Sequence, residues 1–218
     1  MDYYYYAGFF SEFLAAFSAT VFLYKYKHTT LFWLLPLLWF ILINDLVTQY
    51  IFPRMPLGYL LSNVYRVLVP LVIILLVGSQ VKKKKLKTII RFIAIINIVL
   101  TAIELFVINP LTAKTSFSFT TASVLIVICL VIYFMEELKR NQVINVNRKL
   151  FLWVCFGFLI FHVPFPVLIY TQKNIASFSD EFITILYKTH LSIAILSYLT
   201  IAFGFFWGDK VATTGLED

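Results

Sequence analysis

Seven side chains that can carry a charge lie inside long apolar stretches of this sequence. They are Glu12, Asp45, Arg66, Glu104, His162, Lys188 and His190. A charge in the interior of a membrane is costly unless water or a partner reaches it, so such residues often mark ligand sites or proton paths. All of them fall in the same half of their stretches, which predicts one polar site rather than scattered substitutions.

We expect a small anionic ligand to bind at this site. Arg66 and Lys188 would hold the anion through charge-assisted hydrogen bonds. Asp45, Glu104 and Asn63 would position the ligand or the two cations, and His162 is a further candidate ligand residue that can equally serve as a hydrogen-bonded packing residue. If transport is coupled to protons, Asp45 or Glu104 would be the group that takes up the proton.

The last stretch contains two candidates that cannot both face the bundle. Lys188 and His190 lie about 200° apart around a helix. Lys188 shares a polar stripe with Glu181, Thr184 and Ser192, so we expect Lys188 to point inward. An alternative for the whole set is that acids and bases simply pair and fasten the helices together, which buried ion pairs commonly do.

The elements that carry these residues are predicted to be membrane-spanning helices. The chain has 218 residues, of which 61% are hydrophobic and 13% charged, about half the charged fraction of a soluble domain. Seven apolar runs are long enough to cross a bilayer: 7–25, 30–52, 57–80, 88–109, 115–136, 149–171 and 181–207. We therefore expect an all-α, polytopic protein in which residues 1–218 form a single seven-helix domain.

The basic residues predict the orientation of this bundle. Thirteen of the 18 Lys and Arg residues fall in loops on one side, including Lys82 to Lys85, and three fall on the other: Arg54, Lys114 and Lys173. By the positive-inside rule the N-terminus is outside and the C-terminus is cytoplasmic. The basic loops explain the net charge of +7, so we expect no nucleic-acid partner. The expected location is the inner (plasma) membrane, with the lipid bilayer as a partner.

Short matches predict an internal repeat. Phe32-Trp33 opens the second run much as Leu152-Trp153 opens the sixth, and Tyr65-Arg66 is matched by Tyr187-Lys188. The runs would form a parallel 3+1+3 arrangement, with the fourth as linker. This layout is similar to that of seven-helix sugar and vitamin transporters, but their Pro-Gln loop signature is absent.

Four short stretches also resemble small, uncharacterised seven-span bacterial membrane proteins. They are Tyr-Lys-Tyr-Lys at 24–27, Ile-Asn-Asp at 43–45, Asn63 with Tyr65, and Phe-Gly-Phe at 203–205. The resemblance extends over the whole chain and implies a seven-span layout, but it implies no activity.

Three functions remain open from the sequence. The leading one is a transporter or sensor that binds the small anionic ligand described above, without a cofactor. The second is a structural or partner subunit of a larger envelope membrane complex, or a homo-oligomer. The third is an intramembrane metal-dependent hydrolase, in which His162 and His190 would need Asp45 or Glu104 as a third zinc ligand.

Overall fold

The computed structural model of the chain describes residues 2–52, 55–108, 117–139, 149–173 and 178–210. These ranges are predominantly helical and contain no β-strand, which confirms the all-α class. The α-helices are α1 (Asp2–Val21), α2 (Leu34–Leu46), α3 (Pro56–Gln80), α4 (Lys84–Ile103), α5 (Phe117–Lys139), α6 (Leu150–His162), α7 (Phe165–Lys173) and α8 (Asp180–Trp207). Arg54, Lys114, Arg140 and Arg148, which enter the orientation argument, lie outside the described residues, as do the predicted span ends at 109 and 115–116; the Lys173 side chain is not described either.

Six helical stretches in the described part are long and apolar enough to cross a membrane. They are Thr30–Ile51, Pro56–Gln80, Lys84–Val107, Phe117–Lys139, Leu150–Thr171 and Asp180–Trp207, and they support a multi-pass membrane protein. The helix α1 is not among the six, because its tyrosines, alanines and serines make it less apolar. The count of seven spans therefore stays a prediction.

Two short π-helical turns extend α2 and α4. They cover Val47–Ile51 and Glu104–Ile108. A π-turn adds a residue to the helical turn and thereby changes the direction in which the following side chains point, and such turns are frequent at functional sites. One begins two residues after Asp45 and the other begins at Glu104, so both lie at predicted site residues.

The sixth predicted span is broken into two helices. The helix α6 ends at His162, and α7 begins at Phe165 after a turn at Val163 and Pro164. Proline lacks an N–H group, and its ring clashes with the preceding turn, which explains the break. The predicted span 149–171 is therefore not one continuous helix, whereas Pro36 and Pro70 lie within α2 and α3.

Small residues allow the first and last helices to pack closely with their neighbours. The helix α1 packs against α2 and α8, and α8 also packs along α6. Ala15, Ala16 and Ala19 are fully buried, as expected for a small-residue helix face. Where α6 meets α8, the Ser197 hydroxyl donates to the Gly157 carbonyl at 2.8 Å, and a Cβ atom at Gly157 would overlap Ile201.

The lysine end is our name for the end of the bundle that contains Lys25, Lys82 to Lys85 and the last turns of α5 and α8. Here the Lys25 ammonium donates to the carbonyls of Phe205, Phe206 and Gly208 at 2.9, 3.1 and 2.6 Å. These are the free carbonyls at the end of α8, where a positive charge is favourable. Burial lowers the pKa of Lys25 below its usual value, and the nearby Asp209 carboxylate opposes this shift.

A carboxylate at the lysine end stabilises the beginning of a helix, whereas Lys25 stabilises the end of one. Glu136, which is buried in α5, accepts hydrogen bonds from the backbone N–H groups of Lys82 and Lys83, the shortest at 2.8 Å. It thus caps the beginning of α4. The neighbouring Glu137 pairs with Lys149 at the start of α6. Charged groups at this end therefore connect helices that are distant in sequence.

Candidate functional site

A cavity of about 110 Å³ lies in the half of the bundle away from the lysine end. Its walls come from α1, α2, α3, α6 and α8. The lining residues are Tyr5, Gly8, Phe9, Glu12, Asp45, Gln49, Tyr65, Phe161, His190, Leu191, Ala194 and Tyr198. We call it the acidic cavity, because Glu12 and Asp45 line it and, among the described residues, no Lys or Arg does.

Glu12 and Asp45 both line the acidic cavity, and the charges of their carboxyl groups act on each other. Asp45 also accepts a hydrogen bond from the Asn44 amide at 3.3 Å. Two neighbouring carboxylates repel each other, so the pair favours holding one proton between them. Within the described part of the chain, no hydrogen-bond partner reaches the buried Glu12 Oε2 atom.

Tyrosine hydroxyl groups surround this acidic pair. Tyr65 of α3 and Tyr198 of α8 both line the cavity. Tyr5 lines the cavity near the start of α1. Hydroxyl groups and the amide of Gln49 offer oxygen atoms to a cation, and aromatic ring faces also attract cations.

The sequence positions the pair through two local features. In α1, Glu12 follows Gly8 by four residues and precedes Ala15 and Ala16 by three and four, so it lies on the small-residue face that packs into the bundle. In α2, Asp45 is in the last turn, directly before the π-turn that carries Gln49. The close packing of α1 against α2 then brings the two acids together.

Arg66 and Glu104 lie together in a different region, at the junction of α3, α4 and α5. Neither lines the acidic cavity. The Glu104 carboxylate is fully buried and accepts hydrogen bonds from the backbone N–H groups of Phe117 and Ser118 at 3.0 and 2.5 Å. It therefore caps the start of α5. The Arg66 guanidinium is 5.6 Å from the centre of the Phe119 ring and feels the Glu104 charge.

The inward face of α8 is not the one that we expected. His190 lines the acidic cavity together with Leu191 and Ala194, whereas Lys188 is exposed, with its ammonium 6.0 Å from the centre of the Tyr4 ring. The prediction that Lys188 points inward was wrong. The polar stripe turns away from the bundle, because apolar and small residues on the opposite face pack against α1 and α6.

The two remaining candidates are buried outside the acidic cavity. Asn63 is buried in α3. The Nδ1 atom of His162 lies 3.0 Å from the Ser123 hydroxyl, which is the packing role considered for it. Of the six predicted site residues, only Asp45 therefore lines the cavity. In the described ranges, no three His, Cys, Asp or Glu side chains are grouped as metal ligands.

Four important residues of the cavity were not among the six predicted ligand residues: Tyr65 and Tyr198, and also Glu12 and His190, which the sequence had identified only as chargeable side chains of the polar site. Glu12 could have been included in the six, because its spacing from Ala15, Ala16 and Ala19 places it on the face that must pack closely. The tyrosines could not, because 13 tyrosines occur in the chain and many lie near helix ends, where tyrosine is common in membrane proteins.

Comparisons with protein-family models, with curated protein sequences and with solved structures found no match to this chain.

Proposed function

We propose that the protein is a membrane transporter or sensor that exchanges a bound cation for a proton at Glu12 and Asp45. The single observation that carries this proposal is that Glu12 and Asp45 line one cavity, where the charges of their carboxyl groups act on each other. A cation could take the place of the proton that the two carboxyl groups would share.

The exchange conserves charge. In the resting state the pair has one proton and one negative charge. A monovalent cation enters between the two oxygen atoms, and the shared proton leaves to water, so the pair becomes two carboxylates with one cation. Two like charges in a low-dielectric site repel strongly, and the cation supplies the compensation that the proton supplied before.

The anionic ligand remains a prediction, but the arrangement of charges favours a cation. An anion in the acidic cavity would face two carboxyl groups without a Lys or Arg from the described residues. Arg66 and Lys188, which were expected to hold it, lie in separate places: one beside Phe119 and Glu104, the other exposed near Tyr4.

Proton release tests the proposal. The purified full-length protein in lipid nanodiscs, in weakly buffered solution, is titrated with methylammonium chloride or sodium chloride while the pH is recorded. We expect the wild type to release one proton per cation bound, and Glu12→Gln to release none. Equal release from both proteins would contradict the proposal. Comparison of the two salts identifies which cation is taken.

The topology that we propose with this function is one domain of seven spanning helices in the plasma (inner) membrane, with the N-terminus outside. The lysines at one end support this orientation. The 3+1+3 repeat is also part of the proposal. The helix contacts support it, with α5 as the counterpart of α1 in the repeat. The helix α1 packs on α8 as α5 packs on α3, and α1 packs on α2 as α5 packs on α6.

A second candidate function is favoured by one observation. Glu181, Lys188 and Ser192 of α8 are exposed on the side of the bundle, where polar groups facing lipid are costly. A partner protein or second copy of the chain would cover them. Extraction in mild detergent followed by mass measurement tests this subunit function: a stable, stoichiometric assembly supports it, and a monomer contradicts it. We base no proposal on the hydrolase alternative.

A further inference from the structure

A second, apolar groove lies beside the acidic cavity. It has a volume of about 550 Å³ and is lined by Tyr6, Phe9, Leu46, Tyr50 and Ile51, from α1 and the end of α2. Leu46, Tyr50 and Ile51 are each more than two-fifths exposed. In a bilayer this groove would open towards the lipid.

The Phe9 side chain lies between the groove and the cavity, where the Tyr5 and Tyr50 rings also meet at 6.0 Å between their centres. Phe9 lines both. Its ring centre is 5.5 Å from that of Tyr5, on the cavity side, and 5.3 Å from that of Tyr50, on the groove side. Aromatic side chains change rotamer rapidly when they are partly exposed, so a rotation of Phe9 would join the two spaces.

The π-turn at the end of α2 faces both spaces. Gln49 lines the acidic cavity, while its neighbours Tyr50 and Ile51 line the groove. A polar compartment with negative charge and an apolar compartment therefore share a wall built from the same two helices. A ligand that fills both must have a cationic head and an apolar body.

We propose that the ligand of the acidic cavity is an amphipathic amine, whose ammonium group binds between Glu12 and Asp45 and whose apolar part lies in the groove. This inference rests on the proposed cation exchange and specifies the class of cation. The ammonium group displaces the shared proton to water, so that charge balances as before. The apolar part gains contact with Leu46, Tyr50 and Ile51.

The charges of the lining favour a small amine over a phospholipid. An ethanolamine or choline headgroup carries a phosphate next to its nitrogen, and this phosphate would approach the two carboxyl groups. No lysine or arginine of the described residues lines either space to compensate it. A ligand with a nitrogen cation and no phosphate avoids this repulsion.

The test compares two amines that differ only in their chain. Proton release from the protein in nanodiscs is titrated with methylammonium chloride and with octylammonium chloride, and the signal of Glu12→Gln in identical nanodiscs is subtracted to remove the partition of the amine into lipid. We expect octylammonium to half-saturate the response at a concentration at least about tenfold lower, the gain from burying roughly two methylene groups.

Variants in the groove test whether the octyl group of the ligand lies there. Leu46→Gln places a polar group in the groove and should remove the advantage of octylammonium over methylammonium, while gel filtration of the variant at the wild-type elution volume shows that it is folded. Ile51→Gln is a second variant of this kind. Ile43→Gln is the matched control, because Ile43 is as exposed on α2 but does not line the groove.

Each outcome has one meaning. An octylammonium advantage that disappears in Leu46→Gln or Ile51→Gln, but not in Ile43→Gln, supports the inference. The inference is overturned if both amines half-saturate the wild-type response at the same concentration, or if the advantage of octylammonium persists in the groove variants. Either result leaves the proposed cation exchange intact. Absence of any response above Glu12→Gln for both amines overturns the proposed function itself.

Discussion

Glu104, which is fully buried, and the partly buried pair Glu12 and Asp45 have opposite roles. The oxygen atoms of Glu104 are occupied by two backbone N–H groups at the start of α5. Glu12 and Asp45 instead face a cavity, and no hydrogen-bond partner from the described residues reaches Glu12 Oε2. The difference teaches that burial and charge alone do not identify a ligand site. An acid that accepts the backbone N–H groups at the start of a helix is a cap, whereas an acid that lines a cavity lies where a ligand could reach it.

The largest effect on stability is expected at Glu104. Glu104→Ala removes two charge-assisted hydrogen bonds from the start of α5 and leaves both N–H groups buried, which costs about 3 kcal/mol. Glu104→Gln keeps an acceptor and should cost less. Unfolding by SDS in mixed micelles measures the change, with the exposed Glu181→Ala as control. If Glu104→Ala is as stable as this control, the capping role is wrong.

A smaller loss is expected for the cap at the lysine end. Glu136→Ala removes the acceptor for the N–H groups of Lys82 and Lys83, and we expect it to cost about 2 kcal/mol, since these groups lie near water at the end of the bundle. The same unfolding measurement applies. The control is Lys139→Ala, an exposed change in the same turn of α5. A loss greater than that of Glu104→Ala would reverse the predicted order.

Lys25 should contribute less than either carboxylate. Lys25→Met keeps the length of the side chain but removes the positive charge and the donors to three carbonyls at the end of α8, at a cost of about 1 kcal/mol. Lys27→Met, an exposed change two residues later, serves as control. High salt should weaken the effect only slightly, because the ammonium is partly buried. Equal stability of the two variants would show that Lys25 does not cap α8.

The smallest effect on stability, and the clearest effect on function, is expected at Glu12. In Glu12→Gln the amide N–H can donate to Asp45 as the shared proton does, so stability should change by less than about 0.5 kcal/mol. Proton release on addition of a cation should nevertheless be lost. A destabilisation as large as that of Glu104→Ala would instead mean that the pair is a structural fastening.

The sequence predicted the helices better than their ends. Long apolar runs define spanning helices because a bilayer demands about 20 apolar residues. Breaks and turns depend on finer features: Pro164 ended α6, although Pro36 and Pro70 did not end their helices. The first span, 7–25, stays a prediction, because the composition of α1 is less apolar than that of the other helices. The alanines on one face of α1 are buried, as close packing of that face requires.

The candidate site was predicted only in part, for a physical reason. Asp45 lines the cavity, but Glu104 has the same chemistry and a different role, because its partner N–H groups come from a helix that begins 13 residues later in the chain. Lys188 was judged by its polar stripe, yet the packing of α8 placed His190 inside. Which face of a helix turns inward depends on its neighbours, and one sequence alone does not reveal these contacts.

The shared proton can be observed directly by infrared spectroscopy of the protein in nanodiscs. A protonated carboxyl group gives a carbonyl band distinct from that of a carboxylate, and the band shifts in heavy water. We predict such a band near neutral pH in the wild type, its loss in Glu12→Gln, and its decrease when methylammonium is added. If the wild type lacks the band, so that both carboxyl groups are ionised, or if Glu12→Gln leaves it unchanged, Glu12 and Asp45 do not share the proton on which the proposed exchange depends.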